Sequence, residues 1–167
     1  KTLVLTPGAG LEALVALASG AAQVHLSRDE PLIMDALAGP LADISSRLIL
    51  NPDLSLLSRP SRGALLASEE QYDIVDFALA DPFRPVTSGA FSLTEHYPLT
   101  VEALSAAFGH LSPDGLLVLT RWAGTPPSES ARAWATLLAA MHEHKIEDPG
   151  EHLLAYRGMR TVSMIAS

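Results

Sequence analysis

The chain has 167 residues, 48% of them hydrophobic and 18% charged, with no cysteine and a formal net charge of −8. That length corresponds to one domain with room for a buried core. The excess of acid removes the basic footprint that nucleic-acid binding needs, and the lack of cysteine excludes disulfides, thiolate zinc sites and a cysteine nucleophile. No apolar run reaches the roughly 18 residues of a membrane span; the stretch 11–22 comes nearest, but it carries Glu12 and is broken by Gly20. The chain opens on a strand-like run at Lys1, with neither an initiator Met nor a signal peptide. The expectation is a single domain, residues 1–167, belonging to a longer chain. The low charged share points to a further buried face, and a homodimer is its expected use.

In chain order, short strand-like runs alternate with helical ones. Residues 2–6 (TLVLT) form an apolar run that ends in Pro7-Gly8-Ala9-Gly10, which reads as a buried strand and a tight turn. Residues 11–19 have helical spacing, with Gly20 as the stop. Residues 23–27 (QVHLS) are a second strand. Pro31 stands at a first helical turn, and helical spacing runs over 32–50 with a break at Gly39-Pro40. Residues 54–57 are a short third strand, 62–68 a short helix, and 72–79 (YDIVDFAL) a central fourth strand. Residues 81–97 read as a long loop or short helices. A helix over 100–111, a turn at Ser112-Pro113-Asp114-Gly115, a strand over 116–120 and a helix over 128–144 follow. Residues 152–156 and 161–165 close the chain as a hairpin around Gly158. Five βα units predict a doubly wound, mostly parallel sheet covered by helices on both faces. A closing hairpin departs from the dinucleotide-binding pattern, which ends on a sixth parallel strand.

Three strand ends carry candidate chemistry. Gly8 and Gly10 follow the first strand and precede the first helix. Glycines there let the backbone approach a ligand, and the helix start offers unpaired N–H groups; a tight turn without a ligand is the competing reading. After the second strand stand Arg28, Asp29 and Glu30. Asp29 lies about 20 residues after the glycine turn, where a carboxylate accepts from ribose hydroxyls, although Asp29 and Glu30 would equally suit capping of the next helix. At the end of the fourth strand, Asp81 would project over the ligand cleft as an amine holder or base, or simply start an Asp-Pro turn. Asp76 lies within that strand and needs a partner there, or its pKa rises. Glu95-His96-Tyr97 ends the long loop beside the expected cleft, where it would line a substrate pocket or simply cap the helix at Thr100. The six histidines show no metal-ligand spacing, so no metal is expected.

At this point the residues resemble a known family. VLTPGAGLEALVALASGAAQVHLSRDEPLI looks like the cofactor loop and second strand of the spermidine synthase-like proteins, and YDIVDFALADPF followed by GAFSLTEHYPLTVEALSAAFGHLSPDGLLVLTRW resembles their fourth strand, substrate loop and fifth strand. The specific parts are Asp81-Pro82, Glu95-x-Tyr97 and Leu111-x-Pro113-x-Gly115. The resemblance implies a Rossmann-like class I methyltransferase fold with a seven-stranded sheet, of which the closing hairpin is the mark. It implies S-adenosylmethionine or its decarboxylated form as cofactor, and aminopropyl or methyl transfer to a small-molecule amine or other acceptor. Gly8, Gly10 and Asp29 would then hold the cofactor, Asp81 would be the catalytic carboxylate, and Glu95 and Tyr97 would face the acceptor. The implied location is cytoplasmic, including the cytoplasmic part of a membrane-attached chain. Three positions depart from the family pattern: Ala78 replaces the first, base-forming Asp, Arg28 aligns with the ribose-binding acid, and Ser58-Arg59-Pro60-Ser61 offers no carboxylate after the third strand. Two readings follow, a transferase domain of unknown acceptor and a module that kept the fold and lost catalysis. A dinucleotide oxidoreductase is disfavoured by the hairpin.

Overall fold

A computed structural model describes residues 1–80 and 99–167. Seven strands form one sheet in the order β3-β2-β1-β4-β5-β7-β6. They are β1 (Thr2–Leu5), β2 (Val24–Leu26), β3 (Leu54–Leu56), β4 (Tyr72–Phe77), β5 (Leu111–Trp122), β6 (Leu153–Arg157) and β7 (Thr161–Ala166). The first five run parallel, and β7 inserts antiparallel between β5 and β6. The predicted mostly parallel sheet with a closing hairpin is therefore present.

The central strand β1 is buried along its whole length, as an apolar run between two parallel neighbours should be. Alternation divides its side chains between two cores. Leu3 and Leu5 join Val75, Phe77, Leu117 and Leu119 beneath α3 (Ser61–Ala67), α4 (Val101–Gly109) and α5 (Ser128–Glu143). Val4 joins Val24, Leu26 and Ala78 beneath α1 (Leu11–Ala18) and α2 (Pro31–Ala38). Each fully buried large side chain contributes about 1.5–3 kcal/mol, so these two layers hold the strand ends in place. Thr100 caps α4, its Oγ1 accepting from Ala103 N–H at 3.2 Å.

Several boundaries differ from the sequence expectation. Helix α2 stops at Ala38, and beyond Gly39-Pro40 the chain turns repeatedly, with only a 3-10 turn at Leu48–Leu50. Proline has no N–H to extend the helix, and Ser46 and Arg47 take positive φ values of 53° and 55°. Strand β4 ends at Phe77, two residues early. The expected turn at Ser112-Pro113-Asp114-Gly115 lies inside β5 as a bulge, because Tyr72 pairs with Leu111 while Ile74 pairs with Leu116. Gly115 is required there: a Cβ would stand 2.8 Å from the Tyr72 carbonyl oxygen.

Candidate functional site

The carboxyl ends of β1, β2 and β3 meet at one edge of the sheet, where ligands of open α/β sheets bind. Gly10 N–H donates to the Pro7 carbonyl at 2.7 Å, closing the turn after β1. Gly8 and Gly10 take φ values of 51° and 80°, the region glycine occupies without strain. Gly10 precedes α1, and no side chain caps that helix. The space a Cβ would fill is already occupied at Gly10 and tight at Gly8. At Gly8 it would meet Ala80 Cβ at 3.2 Å, and at Gly10 it would meet Leu48 Cδ2 at 2.4 Å. The missing side chains therefore admit the chain's own residues.

Asp29 is half-buried just beyond β2. It is bound to the start of α3, not to α2, whose beginning has no side-chain cap. Asp29 Oδ1 accepts from Ser61 N–H at 3.0 Å. Asp29 Oδ2 accepts from Ser61 Oγ at 2.6 Å and from Ser27 Oγ at 2.5 Å. Ser61 Oγ accepts in turn from Thr6 N–H at 2.8 Å. Ser27 and Ser61 are both buried, so these hydroxyls need partners within the protein. Arg28 N–H donates to the Arg59 carbonyl at 2.9 Å, and the Arg28 side chain turns outward to Asp35 at 3.0 Å. Among the described residues, the half-buried carboxylate at this edge is that of Asp29.

At the end of β4, Ala78 is buried and its carbonyl accepts from Thr6 Oγ1 at 3.0 Å. The buried Arg121 side chain lies 3.4 Å from the same carbonyl. Asp76 does not take the place of the missing acid. It stays in register with Val4 and Val118, two positions short of Ala78, and the register shift of β4 lies at its other end, between Tyr72 and Ile74. Burial, followed by the nearby Glu12 carboxylate, raises the Asp76 pKa to about 7 against the pull of Arg121. At the opposite end of the sheet His25 Nδ1 lies 3.0 Å from Tyr72 Oη. Burial, with a smaller contribution from Lys1, lowers the His25 pKa, while Glu70 opposes the shift.

Asp81, Glu95 and Tyr97 lie outside the described residues. Among the described residues no cluster of potential ligands would hold a metal, and no helix is long and apolar enough to cross a membrane. Of the sequence candidates, Gly8, Gly10 and Asp29 come together at one edge. Sequence reasoning missed Ser27, Ser61, Thr6 and Leu48. Ser61 directly follows Pro60 at a helix start, and that local signal would have marked it.

Strand order, parallel direction and the antiparallel seventh strand decide the fold. This is the class I methyltransferase fold. Solved structures sharing it include spermidine synthase in complex with the transition-state analogue AdoDATO, with a TM-score of 0.67, 13% identity and coverage of 99% of this chain and 52% of that one. Spermidine synthase from Thermotoga maritima gives 0.61 and 13%, covering 99% and 53% of the two chains. A Streptococcus mutans protein assigned as a methyltransferase, in complex with SAH, gives 0.60 and 14%, covering 99% and 88%. The chain thus spans about half the length of these spermidine synthases. Neither a protein-family model nor a curated protein sequence matches it.

Proposed function

We propose that this methyltransferase-fold chain is a transferase domain that binds an S-adenosyl compound at the carboxyl edge of β1 and β2. The observation that carries the reading is Asp29. It is a half-buried carboxylate just beyond β2, linked through Ser61 Oγ to Thr6 N–H at the end of the adjacent parallel strand β1. A carboxylate there suits a ribose hydroxyl, and an uncapped helix start suits an anionic or polar group. The fit is partial, because Leu48 and Ala80 cover the Cα faces of Gly10 and Gly8. A ligand would meet the N–H groups of the α1 start and Asp29, not the glycine faces.

A bound sulfonium would supply an electrophilic carbon and a thioether leaving group. The chain's part is positioning, which by itself contributes much of the rate in such displacements. Ala78 supplies no proton acceptor at the end of β4, and loss of a general base costs about 10²–10⁴ in rate. The acceptor that suits this site is therefore already nucleophilic. Asp81, Glu95 and Tyr97 are proposed to face it, on the strength of the spermidine synthase-like pattern in the sequence. Methyl transfer and aminopropyl transfer both fall within this reading.

The covered glycines and Ala78 favour a second reading, a module that retains the fold without catalysis. One experiment separates the two. The protein is unfolded thermally with S-adenosylmethionine, its decarboxylated form, methylthioadenosine and NAD, each in excess. A ligand at about 100 times its Kd adds roughly 2.7 kcal/mol, several degrees in Tm for a domain of this size. A shift with an adenosyl sulfur compound and none with NAD supports the transferase reading. No shift with any of the four favours the module.

A further inference from the structure

We propose that Ser61, together with Ser27, sets the hydroxyl specificity of the Asp29 subsite, leaving this carboxylate able to accept one ribose hydroxyl and not two. The inference rests on the adenosyl-binding reading above and adds a specificity-determining pair to it.

Lone pairs and protons decide the matter. A carboxylate offers about four acceptor positions, two on each oxygen. Asp29 Oδ2 receives Ser27 Oγ at 2.5 Å and Ser61 Oγ at 2.6 Å. Asp29 Oδ1 receives Ser61 N–H at 3.0 Å. Each serine hydroxyl has one proton to give. The two hydroxyl oxygens stand 3.0 Å apart, close enough to share a proton between themselves. A carboxylate is the stronger acceptor, so both protons go to Asp29. Ser61 Oγ remains an acceptor and takes Thr6 N–H at 2.8 Å. Among the described residues Oδ2 is then full, and Oδ1 keeps one open position.

The arrangement is fixed. Ser27 N–H is tied to the Val4 carbonyl at 3.0 Å, and Arg28 N–H to the Arg59 carbonyl at 2.9 Å. Ser27 is 0% exposed and Ser61 1%, so the fold holds both hydroxyls against the half-buried Asp29 carboxylate. A ligand with a vicinal diol therefore finds one acceptor on Asp29, and its second hydroxyl must be satisfied elsewhere. The subsite reads one hydroxyl strongly and is indifferent to the other.

The test uses the whole chain and three probes: S-adenosylhomocysteine, its 2′-deoxy analogue and its 3′-deoxy analogue, titrated by calorimetry. In the unaltered protein one deoxy analogue should lose roughly ten-fold or more in affinity, as expected for a hydrogen bond to a charged group. The other should lose less than about two-fold, being indifferent to Asp29. Ser61→Ala vacates a position on Oδ2, and sensitivity to the second hydroxyl should then rise several-fold. This ratio between analogues is one that a general loss of stability would not move. If Ser61→Ala does not fold, Ser27→Ala vacates the same oxygen from the β2 side and is read in the same way. Equal losses for both analogues in the unaltered protein, large or small, overturn the proposal, as does an unchanged ratio in the variant. Failure of S-adenosylhomocysteine to bind the unaltered protein at all overturns the adenosyl-binding reading, and this inference with it.

Discussion

Leu48 Cδ2 occupies the place where a Cβ on Gly10 would stand, 2.4 Å from that ideal position. The turn after β1 is thus shaped by the segment that follows α2, which lies far from it in sequence. Gly10 also holds a φ of 80°. Gly10→Ala combines backbone strain of about 1–2 kcal/mol with a clash against a buried side chain. Leu48→Ala leaves a cavity and costs about 2–5 kcal/mol. Because the two share one space, the double variant should be more stable than the sum of the single losses predicts. Denaturant unfolding of all four proteins measures this coupling, and strict additivity would contradict the contact.

Ser61 has a structural role separate from any ligand. Ser61→Ala removes the acceptor of Thr6 N–H and one donor to Asp29. A buried donor left unpaired costs about 1–3 kcal/mol. The variant should unfold at correspondingly lower denaturant with an unchanged slope, whereas Ser61→Thr, which keeps the hydroxyl, should lose less.

Asp76 makes stability depend on pH. Its folded pKa is raised to about 7 from 3.8, so folding favours the protonated form. The contribution is fully present below pH 3.8 and is lost as pH rises through about 7. A rise of that size bounds the effect at roughly 4 kcal/mol. Asp76→Asn removes the titration, so the variant should gain on the native protein as pH rises from 3.8 through about 7. Parallel stability curves for the two proteins over that range would contradict it.

His25 acts in the opposite sense. Its folded pKa is lowered from 6.5 by burial first and Lys1 second, so folding favours the neutral ring. The stabilisation is present above pH 6.5 and is lost as pH falls below it. His25→Gln should flatten the acid limb of the stability curve, and an unaltered acid limb would contradict the assignment.

The fold is legible in the sequence because its signals are local. The apolar run of β1, the glycine turn, the helical spacing of 11–19 and the final hairpin around Gly158 each mark an element without reference to the rest of the chain. What the sequence hides depends on distant pairing. Nothing local to Leu48 says that it fills the gap at Gly10. Asp29 looks like a cap for α2, which follows it directly, yet its carboxylate serves α3, reached only after β3 has returned to the same edge. The Ser112–Gly115 stretch departs from regular strand as its residues suggest, but the pairing of Tyr72 with Leu111 and of Ile74 with Leu116 makes it a bulge instead of a turn between elements. A carboxylate at Asp76 signals a need for a partner, and its raised pKa reflects a burial that only the completed sheet imposes.

The functional reading stands or falls on whether Asp29 receives an adenosyl ligand. Titration of S-adenosylhomocysteine into the native protein and into Asp29→Ala asks this without intermediate steps. Saturable binding to the native protein is expected, with roughly ten-fold or greater weakening in the variant, both proteins being folded by circular dichroism. Equal affinity in the two, or no binding to the native protein, would contradict it.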